Sequence, residues 1–358
     1  MLRQTVRPHD PAAIRAAAEA LARDEGLRPR DVALRLGISE AELLATGVGG
    51  EPGARVRKLD ADLAGILRDI PGLGPIMALT RNEAAVLEVV GPYGEVHLDG
   101  GVGGVFDKPI DLRFFLGRWR HAFAVERDAA PAAARRSLQF FDAAGGALHK
   151  VYLRPDGDLA AFDALVDRHA AAEQSPWLPV EPAAERLTST VPGDATALRE
   201  RWTALGDVHE FHGMLAELRL DREQAFRLAG HDLARPVGPC SLRKVTRAVA
   251  ADGLPVMLFV PNAGCIQIRT GTLRNLKAVG PWWNVLDDGF NLHVNEDVVA
   301  RSWVVTKPTR EGTVTSLELF DRDGRLLLMV FGERHAGQAE LPAWRELLLD
   351  LSTAGDAA

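Results

Sequence analysis

Before Pro75 the apolar positions recur at the three-and-four spacing of amphipathic helices; beyond it they fall into short alternating runs. The Ala-rich stretch Pro11 to Asp24 and the segment Pro29 to Leu36 read as helices. Ser39 caps a third, Glu40-Ala-Glu42-Leu-Leu44, with Glu42 placed to complete a capping box. Val56 to Leu67 reads as a further amphipathic helical set. Ile76–Leu79, Ala84–Val90, Ala122–Glu126, Ser137–Phe141 and Leu148–Leu153 predict strands, with Gly145-Gly146 as a hairpin turn. Asp158 to Ala172 predicts a closing helix. The segment from Gln174 to Pro182 carries three prolines, which forbid regular helix and predict a linker.

The same order then returns. Helices are predicted at 195–204, 207–218, 221–229 and 240–251, followed by strands at 255–260, 264–269, 302–307, 314–320 and 326–332. Asp323-Gly324 is the matching turn, and a helix at 340–351 closes the chain. The return is visible in the residues themselves. Gly74-Pro-Ile-Met77 through Asn82 matches Leu254-Pro-Val-Met257 through Asn262 at an offset of 180, and Ser137-Leu-Gln-Phe-Phe-Asp142 matches Ser316-Leu-Glu-Leu-Phe-Asp321 at 179. Helices grouped before strands, joined by turns too short for crossovers, indicate α+β architecture. The expected fold is an internal duplication of two similar lobes, each with helices plus a large antiparallel sheet. Its boundaries are placed at 1–173 for the first lobe, 174–194 for the linker and 195–358 for the second lobe.

Composition narrows the function classes. With 358 residues, 47% hydrophobic and 25% charged, the chain is of ordinary soluble make-up. A net charge of −7 gives no global attraction to nucleic acid or acidic membranes, so an anionic ligand must meet a local basic pocket. Cys240 and Cys265 are the only cysteines, which fits a reducing compartment. No signal core and no run of 18 apolar residues occurs, so a cytoplasmic protein, not an integral membrane one, is expected.

The two copies differ most at Asp207-Val-His209-Glu-Phe-His212-Gly-Met-Leu215, where the second acquires two histidines. The corresponding helix of the first copy, about Glu25 to Arg35, has none. His209 and His212 stand three apart and share one helix face. A zinc-protease helix needs its histidines four apart, so that reading fails on spacing. A solvated face or an ordinary satisfied contact is the plain alternative. Gly213 lies one turn after His209 on the same face, where a larger side chain would block a flat ligand from the imidazole. A neutral imidazole beside bare helix suits axial ligation of a haem iron, whose propionates need Arg or Lys. Arg113, Lys307 and Arg334 are candidates. Trp282-Trp283 reads as core or a loop anchor, and no nucleotide fingerprint or nucleophile elbow is present.

Several long segments resemble one known family. Trp202 through Gly230, Phe259-Val-Pro-Asn-Ala-Gly-Cys-Ile-Gln-Ile268, Gly280-Pro-Trp-Trp-Asn-Val-Leu-Asp287, Phe290-Asn-Leu-His293, Trp303 to Asp321 and Gly332-Glu-Arg334 are similar to the bacterial hemin-degrading factors of the HemS/HmuS/ChuS type. Leu79-Thr-Arg-Asn82 and Ile110-Asp-Leu-Arg-Phe-Phe115 join from the first copy. The resemblance implies that His209 is the axial ligand of haem b. It implies that Arg113 reaches over the haem as the catalytic group with Phe115 near the ring, and that Lys307 and Arg334 lie near the propionates. Leu328 and Met329 stand where some members carry polar residues. The function implied is haem binding and utilisation in the cytoplasm, with oxidative ring opening that consumes O₂ and electrons from a donor. The alternative is non-catalytic trafficking to a separate haem oxygenase. Implied partners are haem, a haem uptake transporter and a reductase or haem oxygenase; no nucleic acid is expected.

Overall fold

A computed structural model describes residues 10–49, 54–127, 135–183, 193–335 and 337–352. The chain divides into two units. One comprises 1–80, 89–185 and 262–266; the other comprises 81–88, 186–261 and 267–358. Residues 184–192 of the expected linker lie outside the described residues.

The first half opens with helices α1 (Pro11–Asp24), α2 (Pro29–Leu36) and α3 (Glu40–Ala45), then strand β1 (Ala54–Lys58) and helix α4 (Leu63–Asp69). The expected capping box is present: the Ser39 hydroxyl accepts from the Glu42 amide at 3.1 Å and Glu42 accepts from the Ser39 amide at 2.8 Å. Val56 departs from its expected helix. In Arg55-Val56-Arg57 polar and apolar positions alternate with period two, and β1 pairs antiparallel with a later strand and buries Val56. Strands β2 (Pro75–Arg81), β3 (Ala85–Pro92), β4 (His97–Asp99), β5 (Val102–Phe106), β6 (Asp111–Phe115), β7 (His121–Arg127), β8 (Arg135–Phe141) and β9 (Ala147–Leu153) follow, closed by α5 (Leu159–Arg168).

The second half repeats the series: α6 (Ala195–Thr203), α7 (Glu210–Glu217), α8 (Arg222–Ala229), β10 (Ala234–Val237) and α9 (Ser241–Asp252). Its strands are β11 (Val256–Pro261), β12 (Cys265–Gly271), β13 (Leu276–Val279), β14 (Trp282–Asp287), β15 (Phe290–Asn295), β16 (Arg301–Thr309), β17 (Gly312–Phe320) and β18 (Leu326–Gly332), and α10 (Pro342–Leu349) ends it. The strands form two large antiparallel sheets, so the protein is α+β. In the first unit β1, β7, β8, β9 and β2 pair in that order, and β4, β5 and β6 form a meander. In the second unit β10, β16, β17, β18 and β11 pair in that order, and β13, β14 and β15 form the meander. Register irregularities fall at Phe140/Phe141 and at Leu319/Phe320, the same place in each repeat. Gly145 and Gly324 take φ of 80° and 72° at the two matching hairpin turns, a conformation that favours glycine.

Two asparagines at equivalent positions tie down the exchanged segments. In the second unit Asn82 donates to the carbonyls of Pro261 and Leu327, both at 2.8 Å, and accepts from the amides of Ala84 and Ala85. In the first unit Asn262 donates to the Leu148 carbonyl at 2.7 Å and accepts from Gly264 and Cys265. Each satisfies backbone groups that burial would otherwise leave unpaired.

The core of the first unit holds a polar cluster that its repeat lacks. His149 is 1% exposed and ringed by Phe114, Trp119 and Phe140. Its Nδ1 meets the Thr80 hydroxyl at 3.1 Å, and its Nε2 faces the Tyr93 hydroxyl at 3.4 Å. Burial pushes its pKa down to about 3. The unfolded chain therefore takes up this proton first as pH falls. Stability should decline by about 1.4 kcal/mol per pH unit from about pH 6.5 towards 3 on this account. The equivalent position is Leu328. His149→Leu should flatten that limb in urea unfolding measured between pH 7 and 4; an unchanged slope would place the acid sensitivity elsewhere.

A candidate haem-ligating histidine at a helix start

Helix α7 is amphipathic over a short span. Phe211, Met214 and Leu215 are buried, while Glu210, His212 and Gly213 face outwards. Its apolar face packs into a core with Leu198, Trp202, Phe226, Trp303 and Phe320. Trp202, from α6, is wholly buried, donates its indole N–H to the Thr306 carbonyl at 2.9 Å and meets Phe211 edge-on at 4.6 Å. These contacts seat α7 over β16 and leave His209, Glu210, His212 and Gly213 in the open while Phe211 turns inward.

His209 stands at the N-cap, so α7 begins three residues later than the sequence pattern suggests. Its side chain is 88% exposed. Asp207 explains the local geometry. Its carboxylate accepts the His209 backbone N–H at 2.7 Å, and the same oxygen accepts from the His209 Nδ1. A carboxylate accepts, so Nδ1 is the donor in this contact and Nε2 is the ring nitrogen left for a ligand on a side chain that is largely exposed. The Asp207 pKa lies below the usual range because of the His209 amide, then the His209 ring, with a further contribution from the charge of Arg334. A Cβ added at Gly213 would meet nothing within 4 Å. The result is one imidazole with a fixed tautomer beside an uncluttered helix face, which fits an axial ligand for a flat iron macrocycle.

Other candidates are placed as follows. Arg334 is 17% exposed and within 3.4 Å of Glu311, and its charge adds to the lowering at Asp207. Lys307 is only 3% exposed, and its ammonium lies 3.1 Å from Glu318. Glu318 also receives Arg222, at 2.6 and 2.8 Å, and the Ser316 hydroxyl at 3.0 Å. Burial pushes the Lys307 pKa down to about 8 against the pull of Glu318. For Glu318 burial acts upwards, but the charges of Arg222 and Lys307 overcome it and hold the carboxyl at about 2. Lys307 is therefore engaged in the interior, a position its sequence context does not reveal.

In the first unit Arg113 and Phe115 lie on the same face of β6, since Leu112 and Phe114 point into the core. The Arg113 guanidinium donates to Asp111 and to the Leu112 carbonyl and sits 4.5 Å over Phe106. His97, Gly104 and Arg113 are directly opposite one another across β4, β5 and β6. In the second repeat the matching row is Lys277, Asn284 and His293, closed by a 2.6 Å bond between His293 and Asn284. His212 is exposed on α7. Trp283 is buried in β14 and donates to the Thr246 hydroxyl at 3.0 Å. In the sequence Asp207 suits the N-cap of this helix; the structure gives that position to His209 and turns Asp207 onto the His209 ring, while Glu318 carries no sequence signal. Asp207, two residues before His209, could have been read as its partner; nothing in the alternation of β17 marks Glu318 as charged by design.

The duplicated scaffold with one tautomer-fixed histidine defines a class of duplicated α+β proteins specialised in one repeat. A family model described as the haemin-degrading HemS.ChuX domain matches twice, at residues 37–169 and 219–351. The chain belongs to this family. It is 38% identical over 334 residues to the hemin transport protein HmuS of Yersinia pestis, covering 93% of this chain and 95% of that protein. Among solved structures it is similar to holo-PhuS, a heme-binding protein of Pseudomonas aeruginosa, at 44% identity and a TM-score of 0.92, with 96% and 100% of the two chains covered. It is also similar to ChuS, described as an E. coli heme oxygenase, at 34% identity and a TM-score of 0.84, with 94% and 99% covered. Among the described residues no helix is long and apolar enough to cross a membrane.

Proposed function

We propose that this protein binds haem in the cytoplasm through Nε2 of His209 and opens the ring oxidatively to release its iron. The observation that carries the reading is the exposed His209 imidazole whose other nitrogen is committed to Asp207. Haem is the substrate here and supplies the iron that engages O₂, with electrons from a reductase. The chain's own residues hold and orient it. Asp207 fixes the ring tautomer, the glycine at 213 leaves room for the macrocycle, and Arg334 supplies positive charge for a propionate on the His209 side. From the first unit, Arg113 and Phe115 are proposed as haem contacts on the strength of the family resemblance. Arg113 is held by Asp111, so contact with a propionate or a bound oxygen requires exchange of that partner.

A second reading is favoured by the names of the relatives, since HmuS is a hemin transport protein while ChuS is described as a heme oxygenase. In that reading the chain carries haem from an uptake transporter to a separate oxygenase. Aerobic incubation of the haem complex with a reductase system and catalase separates the two. A tetrapyrrole product with released iron supports degradation; intact haem after many turnover times supports carriage.

The orienting role of Asp207 has its own consequence. Asp207→Ala frees the His209 ring and is expected to weaken hemin binding by about tenfold, as loss of an outer-shell partner does. Hemin titration of the variant checks this, and an affinity equal to the parent's would remove Asp207 from the site.

A further inference from the structure

The buried charges of the second unit enclose one aromatic ring. Lys307 Nζ lies 4.9 Å from the centre of the Phe211 ring, and the Arg222 guanidinium lies 5.0 Å from it. Both cations are bound to Glu318, which is fully buried. Phe211 is itself 1% exposed and sits two residues after His209 in the opening turn of α7. The other ties of that turn are polar: Glu210 and Phe211 donate to the Asp207 and Val208 carbonyls at 3.2 and 3.3 Å, and the Glu210 carboxylate accepts the Gly206 backbone N–H at 2.9 Å.

Two cations meeting one carboxylate leave an excess positive charge inside the protein. Such a charge is costly where water cannot reach it, and the electron-rich face of Phe211 offsets part of that cost. Lys307 also faces Phe331 from β18 at 5.9 Å, so its apolar contacts come from two elements. The contact to Phe211 is the one that reaches the histidine turn. We infer that Lys307 is a positioning residue for His209: its ammonium, tied to Glu318, presses on Phe211 and fixes where the first turn of α7 presents the imidazole. The inference rests on His209 being the haem ligand, and it gives Lys307 a task other than direct contact with a propionate.

The test uses the full chain with Lys307→Met, Phe211→Leu and the double variant. Lys307→Met leaves the Arg222–Glu318 pair neutral and intact, so the fold is retained. In the haem-free protein, amide exchange from Phe211 to Leu215 should quicken about threefold to tenfold in either single variant. The double variant should be no faster than the faster single, because the two residues act through one contact. Exchange in β16 and β17 should stay as in the parent. On adding hemin, Lys307→Met should broaden the iron EPR signal through a spread of imidazole orientations, and Lys307→Arg should narrow it again. Unchanged exchange at α7, additive effects, or loosening spread evenly over the core would overturn the inference. Because exchange is read without hemin, a failure of His209 ligation would show separately, as a parent hemin spectrum indifferent to His209→Ala.

Discussion

Replacing His209 by Ala is expected to abolish the parent hemin spectrum and weaken binding by about 100-fold or more. Outer-shell partners of a metal ligand are worth about 10–100-fold, and the ligand itself carries at least the upper end of that range. The exposed imidazole is the reason the loss should be clean. His209 contributes almost nothing to the core: its ring is 88% exposed and its described polar contacts run to Asp207. Phe211, Met214 and Leu215 hold α7 regardless of which side chain stands at 209. The variant should thus unfold in denaturant within about 0.5 kcal/mol of the parent, as surface substitutions usually do. A Soret band of parental position and affinity in His209→Ala would remove this residue as the ligand and direct attention to His212 one turn on.

Glu318→Gln should have the largest effect on stability, about 3–5 kcal/mol, because it leaves the buried Lys307 and the half-buried Arg222 together without their shared anion. The pH dependence gives a similar size. The folded carboxyl is held at about 2, against an ordinary value of 4.5. A lowered folded pKa stabilises above the unfolded pKa and is lost as pH falls from about 4.5 to 2, a total of about 3 kcal/mol. Urea unfolding of parent and variant at pH 7 and at pH 3 measures both. The gap between them should shrink at the lower pH, where the carboxyl of the unfolded parent chain is protonated while the folded one still has to be kept ionised. A gap that is small at pH 7, or constant across the range, would mean that Glu318 is not the counter-charge of this network.

Much of the architecture is legible in the sequence because its signals are local. The Ala-rich spacing of α1, the proline at the start of α2, the Ser39–Glu42 box and the glycines at 145 and 324 each act within a few residues, and the structure places them as read. The duplication is equally local, a comparison of the chain with itself. The two meanders carry no such local signal. β4 is three residues long, Gly100 and Gly101 form the turn after it, and Gly103 and Gly104 interrupt β5, so no alternation registers there, although Asp288-Gly289 marks the turn between β14 and β15. Val56 and Leu59 also satisfy a helical spacing, so β1 resembles a helix by local pattern alone. Only pairing with β7 selects the strand.

The site divides along the same line. The sequence by itself determined that one repeat had gained histidines on a helix bearing a neighbouring glycine, and its resemblance named His209 among them. Exposure, tautomer and charge pairing belong to the tertiary structure. It alone decided that Asp207 folds back onto Nδ1, that Lys307 lies inside against Glu318, and that Arg222 arrives at the same carboxylate from α8. The reason is physical: helix and turn preferences are set by neighbours along the chain, whereas a buried charge is defined by partners 11 and 96 residues away, and no local pattern encodes which of them will meet.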